Sequence, residues 1–344
     1  MVGSPLQTAL EQLLAGRSLS SPQAQEAVAT ILQGGVDDEI VKEFLTALHQ
    51  KEESSDELLG AVRAIRERMI TFDAGTSGAD LLDTCGTGGD GAHTVNVSTA
   101  TAIVLAACGA RVAKHGNRAA SGSSGSSDVL TQLGVAIDAA PETLKRCLDE
   151  LGIVFLFAPR FHPGLKKVAA VRRQLRFRTI FNLVGPLCNP ARPTHQLVGV
   201  PGNPQARRMA EVLARSDSLR RALVVTGADG LDEVTLDGPT RVLVVEPGTI
   251  REQVWTPGDF GLPRVNSLEL KVSGPEESAS RLRRMFQGED GPVRQIVLAN
   301  TAAALWALAP GSLREGVDRA ARAIDSGAAA RLVERWSMMT RGQP

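Results

Sequence analysis

The sequence predicts an α/β protein with a small all-helical N-terminal domain and a large α/β domain built on a mostly parallel sheet. Three observations carry this. Residues 1 to about 72 of the 344 show helical periodicity alone. After the polar stretch 73–78, short apolar runs alternate with helical stretches, the pattern of a parallel sheet covered by helices. With 43% hydrophobic and 22% charged residues, the chain can bury a core of that size. The expected boundaries are 1–75 for the helical domain, joined by helices of about 163–187, with 76–162 and 188–344 forming the α/β domain.

Each element has its own signal. Leu6, Leu10, Leu13 and Leu14 follow helical spacing. Ser21 ahead of Pro22 starts a second helix, Ala24, Ala27, Val28, Ile31 and Leu32 line it, and Gly34-Gly35 ends it. Ile40, Val41, Phe44, Leu45 and Leu48 line a third. Ser54 with Glu57 forms a capping box for a fourth, through Val62, Ile65 and Met69. Leu81-Leu82 then enters a glycine-rich loop. Residues 100–107 read as helix, 111–113 as strand, 129–133 as helix, 135–137 as strand, 144–151 as helix and 153–157 as strand. The segment 163–187 interrupts the alternation with helices that can pack beside the N-terminal ones. Strands at 197–200, 222–226 and 242–245, a helix at 205–214 and an Ala-rich helical tail from Pro292 complete the pattern.

Composition narrows the function. Lys plus Arg and Asp plus Glu each number 38, so the net charge is zero and no global field attracts nucleic acid or a membrane surface. Neither partner is expected. Residues 1–13 lack a signal-peptide pattern, and no apolar run reaches the roughly 18 residues of a membrane helix. Cys85, Cys108, Cys147 and Cys188 show no C-x-x-C spacing, so reduced thiols in the cytoplasm are expected. Tyr is absent and aromatics are scarce, which weakens any stacking platform for single strands.

Four groups of residues carry chemistry. The first is Asp83-Thr84-Cys85-Gly86-Thr87-Gly88-Gly89-Asp90-Gly91, followed by Asn96-Val97-Ser98-Thr99 at a helix start. Glycines let backbone N–H groups approach an anion, and the helix end adds unpaired donors and a positive dipole. A tight structural turn is the competing explanation. No Gly-Lys-Ser/Thr follows, which excludes the Walker pattern. The bare G-x-G-x-x-G spacing of Gly86, Gly88 and Gly91 is weakened by the polar loop expected to run on to Thr99. The second group, Lys114-His115-Gly116-Asn117-Arg118, leaves a strand and enters a Ser/Gly tract at 121–127, which is either part of the same anion site or a linker. His115 is a weak catalytic candidate, better read as a hydrogen-bonded loop residue.

The third group, Asp229-Gly230-Leu231-Asp232-Glu233, follows a strand, where open α/β sheets bind ligands. Asp232 and Glu233 are hard oxygen ligands suited to a Mg²⁺ shared with substrate phosphates, or else part of a solvated turn. The fourth is a local field hidden by the zero net charge. From 151 to 210 there is no Asp or Glu, while ten Lys and Arg occur. Among them Arg172 falls on the apolar side of its helix with Leu165, Val168, Ala169 and Leu175. It must snorkel or meet an anion, such as the carboxylate of a small substrate.

Together these groups resemble the anthranilate phosphoribosyltransferase family, which has the nucleoside-phosphorylase type of fold. Gly86-Thr87-Gly88-Gly89-Asp90-Gly91, Asn96-Val97-Ser98-Thr99, Lys114-His115-Gly116-Asn117-Arg118, Phe161-His162-Pro163, Val171-Arg172-Arg173, Arg178-Thr179-Ile180-Phe181-Asn182, Gly185-Pro186-Leu187, Asn189-Pro190 and the 229–233 group occur in family order. The resemblance implies transfer of phosphoribosyl from 5-phosphoribosyl 1-pyrophosphate to anthranilate in tryptophan biosynthesis. It also implies Mg²⁺ as cofactor and a homodimer formed through the helical domains. It places Gly86, Gly89, Asp90, Thr94, Asn96, Val97, Ser98, Thr99, Lys114, His115, Gly116, Asn117, Arg118, Ala119, Ala120, Ser121, Gly122 and Ser126 on the phosphoribosyl substrate. Gly86, Asn117 and Arg172 would contact anthranilate, and Ser98, Asp232 and Glu233 would hold the metal. The family usually has Asn at His93, often Ser at Gly122, and commonly Lys or Arg at Ser123. The alternatives are a pyrimidine-nucleoside-phosphorylase-like enzyme and a non-catalytic nucleic-acid-binding relative. Anthranilate synthase subunits as partners are left undetermined.

Overall fold

The computed structural model describes residues 4–75, 79–118 and 124–343. Four helices open the chain: α1 (Pro5–Leu14), α2 (Ser21–Gln33), α3 (Asp38–Lys51) and α4 (Ser55–Arg68). Their ends follow the local chemistry. Ser54 Oγ accepts from Glu57 N–H at 3.2 Å while the Glu57 carboxylate accepts from Ser54 N–H at 2.8 Å, closing the expected capping box. Gly34 ends α2 at φ +79°, where a side chain would be strained.

The α/β part runs β1 (Leu82–Gly86), α5 (Val97–Ala107), β2 (Val112–Gly116), α6 (Ser126–Gln132), α7 (Pro141–Leu151) and β3 (Ile153–Phe157). Short helices α8 (Ala158–Phe161), α9 (Ala169–Gln174) and α10 (Ile180–Leu183) follow. Then come β4 (His195–Gly199), α11 (Asn203–Leu213), β5 (Arg221–Gly227), β6 (Thr240–Glu246), β7 (Thr249–Trp255), α12 (Pro257–Phe260), α13 (Pro275–Phe286), α14 (Pro292–Leu308), α15 (Leu313–Asp325) and α16 (Ala328–Thr340). The seven strands lie in the order β3-β2-β1-β4-β5-β6-β7. β1 to β5 pair in parallel and β6 and β7 antiparallel, so the sheet is mostly parallel, as expected.

A small apolar cluster packs α7 on Ala113, Val154 and Leu156 of β2 and β3, and two larger cores flank the sheet. One packs α5 and the C-terminal helices against β1, β2, β4 and β5. The other joins the N-terminal helices to Val198, Val200, Val224 and Leu243 on the opposite face, through α11. Val168, Val171, Ile180, Phe181 and Leu187 belong to this second core, so the 163–187 segment packs beside α2, α3 and α4. Among the described residues no single helix is long and apolar enough to cross a membrane.

Two expectations need correction, and one strand was not foreseen. Residues 135–137 form no strand. Val135 N–H instead closes onto the Leu130 carbonyl, Ala136 N–H is held by Thr340 Oγ1, and the segment packs as a buried loop. Helix α5 begins at Val97 with Asn96 as its cap, so the polar loop stops short of Thr99. Strand β7 carried no apolar run to announce it. It is a mostly exposed edge strand, rich in charge and polar groups, returned from β6 through Pro247-Gly248.

Candidate active site

Strand order reverses at β1, whose neighbours β2 and β4 lie on opposite sides, and such a reversal opens a crevice beyond the strand ends. Gly86 and Gly199 are paired in register at that rim. A Cβ on Gly86 would strike the Asp232 carboxylate, and one on Gly199 would strike the Asp232 backbone carbonyl. The two glycines therefore let the acidic loop after β5 fold back over the ends of β1 and β4.

The loop from Thr87 to Asn96 wraps the resulting cleft. Gly88, Gly89 and Gly91 have φ of +64°, +77° and +71°, which glycine adopts without strain. His93 also sits in the left-handed region at φ +54°, where Asn and His are both enriched, so His suits this position's backbone. Asn96 caps α5 by accepting from Thr99 N–H at 3.2 Å, aiming the helix end into the cleft. Gly88 N–H donates to Asp232 Oδ2 at 2.7 Å.

Charge is concentrated here. Lys114 is buried, donating to the Thr84 carbonyl at 2.5 Å and to Ser98 Oγ at 3.1 Å. Burial lowers its pKa, opposed by the neighbouring Asp83 and Glu233. Burial raises Asp232, assisted by Asp90, and raises Glu233 strongly, assisted by Asp232. Two adjacent desolvated carboxylates that resist ionising together are a cation site in waiting. This donor set fits Mg²⁺, which binds through one or two carboxylates and completes its shell with water and substrate phosphates. Among the described residues no group of three acidic, His or Cys side chains forms a preformed metal cage, so a closed structural site is not built here.

Behind the cleft lies a ladder of buried polar groups. Asp83 accepts from His115 N–H at 3.3 Å and from Asn189 Nδ2 at 2.9 Å. His115 Nδ1 meets the Gly185 carbonyl at 3.2 Å, and its Nε2 meets His162 Nε2 at 3.2 Å. The carbonyl requires a proton on His115 Nδ1, which leaves Nε2 to accept from His162. Burial pushes His115 down to about 3 and His162 to about 4. His115 is thus a neutral residue with both ring nitrogens occupied, poorly placed to take a proton from the cleft.

The helical segment supplies the opposite wall. Arg172 lies in α9 with its Cζ 5.7 Å from the centre of the Phe181 ring. It makes no ion pair among the described residues, and burial lowers its pKa. Arg178 crosses to the glycine loop, donating to the Thr87 carbonyl at 2.9 Å. Lys166 and Arg173 are exposed.

These parts enclose a cavity of about 340 Å³. It is lined by Gly86, Gly89, Asp90, Thr94, Asn96, Val97, Ser98, Lys114, His115, Gly116, Asn117, Arg118, Ser126, Arg172, Asp232 and Glu233. Thr99 does not reach it, because its side chain turns into the buried face of α5. Ala119, Ala120, Ser121, Gly122 and Ser123 lie outside the described residues. Sequence reasoning gave no role to Asp83, His162, Asn189, Arg178 or Phe181, although all five lie within the motif strings.

This fold, with its anion loop and paired carboxylates, falls in a class of glycosyl-transferring enzymes to whose family models both parts of the chain correspond. Family models described as the glycosyl transferase family helical bundle domain and a/b domain match residues 7–69 and 78–330. Anthranilate phosphoribosyltransferase of Rhodopirellula baltica is 47% identical over 315 residues, 91% of each chain. The crystal structure of the Thermus thermophilus enzyme superposes with a TM-score of 0.89 at 40% identity, covering 97% of this chain and 99% of that one. The Saccharomyces cerevisiae enzyme in complex with PRPP and Mg gives 0.89 at 28% identity over 98% of both chains, and it has also been solved with 4-fluoroanthranilate. The chain belongs to the anthranilate phosphoribosyltransferase family.

Proposed function

We propose that this protein transfers the phosphoribosyl group of 5-phosphoribosyl 1-pyrophosphate to the amine of anthranilate. The products are N-(5-phosphoribosyl)anthranilate and pyrophosphate, and the step belongs to tryptophan biosynthesis. The single observation that carries this is one cleft uniting an anion-binding loop and helix end, two adjacent buried carboxylates, and an arginine over an aromatic wall. Relatives named for the same activity support it over a nucleoside phosphorylase or a nucleic-acid-binding relative.

Each residue has a task in this reading. Backbone amides of the glycine loop and the α5 end, with Lys114, Asn117 and Ser126, hold the phosphates. Asp232, Glu233 and Ser98 would hold Mg²⁺, which when bound offsets charge on the departing pyrophosphate. Arg172 takes the anthranilate carboxylate and so aims the amine at ribose C1, beside Gly86 and Asn117. The aromatic amine needs placement more than prior deprotonation, so positioning supplies much of the rate and no obligatory base is required. A neutral His115 suits that mechanism, since it holds the cleft floor without exchanging protons there.

We further propose a cytoplasmic homodimer formed through the helical domain of residues 1–75, with 163–187 joining it to the catalytic α/β domain. Four free cysteines are consistent with a reducing compartment. The function is tested by following anthranilate fluorescence with protein, 5-phosphoribosyl 1-pyrophosphate and Mg²⁺, omitting each in turn. Decay that needs all three is expected; no decay from folded protein at any Mg²⁺ concentration would overturn the assignment.

A further inference from the structure

A second cavity, of about 240 Å³, lies between α4, the 187–192 segment and α11, and shares no lining residue with the catalytic cleft. Its walls are aliphatic, from Leu59, Val62, Leu187 and Leu213. Its charges are not. Arg66 enters from α4, half-buried, with Nε donating to the Leu187 carbonyl at 2.9 Å. Arg192 enters from a turn in which it holds φ +50°, its N–H bonded to the Asn189 carbonyl at 3.1 Å. Neither guanidinium makes an ion pair among the described residues, and the two repel each other.

The other charged lining groups do not cancel this pair. Arg215 is turned to Asp56 at 2.6 Å, and Glu67 is engaged by Arg68 at 3.3 Å. Arg63 donates to Ser21 Oγ at 3.3 Å and adds a further cation. Asp217 alone opposes Arg63, Arg66 and Arg192. Arg66 is half-buried and Arg192 exposed, so water screens part of their repulsion; an anion between them would relieve the rest, and guanidinium forks suit a carboxylate in particular.

We propose that this cavity binds a small carboxylate with an apolar body, bridging Arg66 and Arg192, and that its occupancy is felt in the catalytic cleft. The link is covalent and short. Leu187, which Arg66 holds, follows Gly185, whose carbonyl carries the His115 ring. Arg192 closes the turn that starts at Asn189, whose amide nitrogen donates to Asp83 Oδ2 beneath Lys114. An anion that draws the two arginines together therefore loads the 185–192 segment at both ends.

The probe is benzoate, titrated calorimetrically into Arg172→Ala and into Arg172→Ala carrying Arg66→Gln or Arg192→Gln. Arg172→Ala removes the carboxylate-binding group of the catalytic cleft, whereas Arg66→Gln and Arg192→Gln remove the new one. Arg192 is exposed, so its variant is expected to fold normally, and matched thermal melts check both. Benzoate binding that persists in Arg172→Ala and weakens at least about tenfold when Arg66→Gln or Arg192→Gln is added to it is the expected result. Binding to Arg172→Ala that neither added substitution weakens would overturn the site, as would no saturable binding to the Arg172→Ala protein. Because the readout is binding, it is independent of whether the transferase reading holds. Coupling is read separately, as a change in 5-phosphoribosyl 1-pyrophosphate affinity on adding benzoate to Arg172→Ala; no change would overturn the link to the cleft.

Discussion

Removing the Arg172 side chain separates substrate recognition from stability more cleanly than any other change in the cleft. The guanidinium sits over Phe181, is partly withdrawn from water, and has no acidic partner among the described residues. Arg172→Ala therefore strands no buried carboxylate, and the folded state should change by no more than about 1 kcal/mol. Binding is different. A charge-assisted hydrogen bond from Arg172 to the anthranilate carboxylate is worth roughly 1.5–3 kcal/mol. That converts to a rise in anthranilate KM of about ten- to a hundredfold. The kcat should fall less, because the groups proposed to hold the phosphoribosyl substrate and its leaving group lie on the other wall. Arg172→Lys should recover only part of the loss, since an ammonium cannot reproduce the fork. Initial rates by anthranilate fluorescence at saturating co-substrate, paired with a thermal melt, measure both quantities. An unchanged KM in a protein of normal stability would refute the assignment. So would a large loss of stability, which would mean that Arg172 is chiefly a packing residue.

Other changes act on the cleft floor. Asp232→Asn with Glu233→Gln should cut kcat by at least about a hundredfold and move the Mg²⁺ optimum, because a preorganised electrostatic contact is lost; normal rates at low Mg²⁺, measured by titrating the ion, would remove both from the metal site. Gly199→Ala should lower activity sharply while Gly91→Ala mainly strains its own loop. The first Cβ strikes the Asp232 carbonyl and displaces the acidic loop, whereas the second meets nothing nearby, at φ +71°; equal kinetic losses would argue against the fold-back of that loop. Stability should fall as pH drops from about 6.5 toward 3–4, because His115 and His162 are held neutral by burial while the unfolded chain protonates there. His162→Gln should flatten that limb of a melting-temperature profile, and an unaltered slope would mean that other groups govern it.

How much was legible in the sequence depended on whether a residue's task left a local trace. The inner strands did, since β5 carries Ala222-Leu223-Val224-Val225 between β4 and β6 and is buried almost throughout, and a fully covered strand has no polar side to blur the run. β7 did not, because an edge strand is kept polar against mispairing, so Arg251, Glu252 and Gln253 look like loop. Val135 to Ile137 misled for the opposite reason: a short apolar run marks burial, and burial here is under α16 rather than in the sheet. In the cleft, the glycine loop and the 229–233 group were visible because their chemistry is local. The Asp83–His115–His162 ladder was not, since its partners come from β1, β2, the 162 turn and the Asn189 turn. Only the fold brings such residues within hydrogen-bond distance.

The zero net charge gains its meaning from this geometry. Of the ten cations between 151 and 210, Arg207 and Arg208 pair with Glu211 and Glu52, and Arg160 holds the Ala139 carbonyl. Arg172 and Arg178 alone among them line the cleft. The carboxylates that face them, Asp232 and Glu233, belong to the sheet side, on a loop after β5. Arg172 and Arg178 thus come from the segment packed with the N-terminal bundle, while Asp232 and Glu233, together with Lys114 and Arg118, come from the sheet layer. Phosphates and an acceptor carboxylate are all anionic, so Asp232 and Glu233 could face them only through a bound cation, and the two layers must stand at a separation that admits both. Arg178 already bridges them at Thr87, so if Arg172 takes the acceptor's carboxylate as proposed, the bundle's position on the sheet would set where anthranilate sits relative to ribose C1. Changes in the bundle far from the cleft should therefore alter kcat through positioning, even where they touch no substrate.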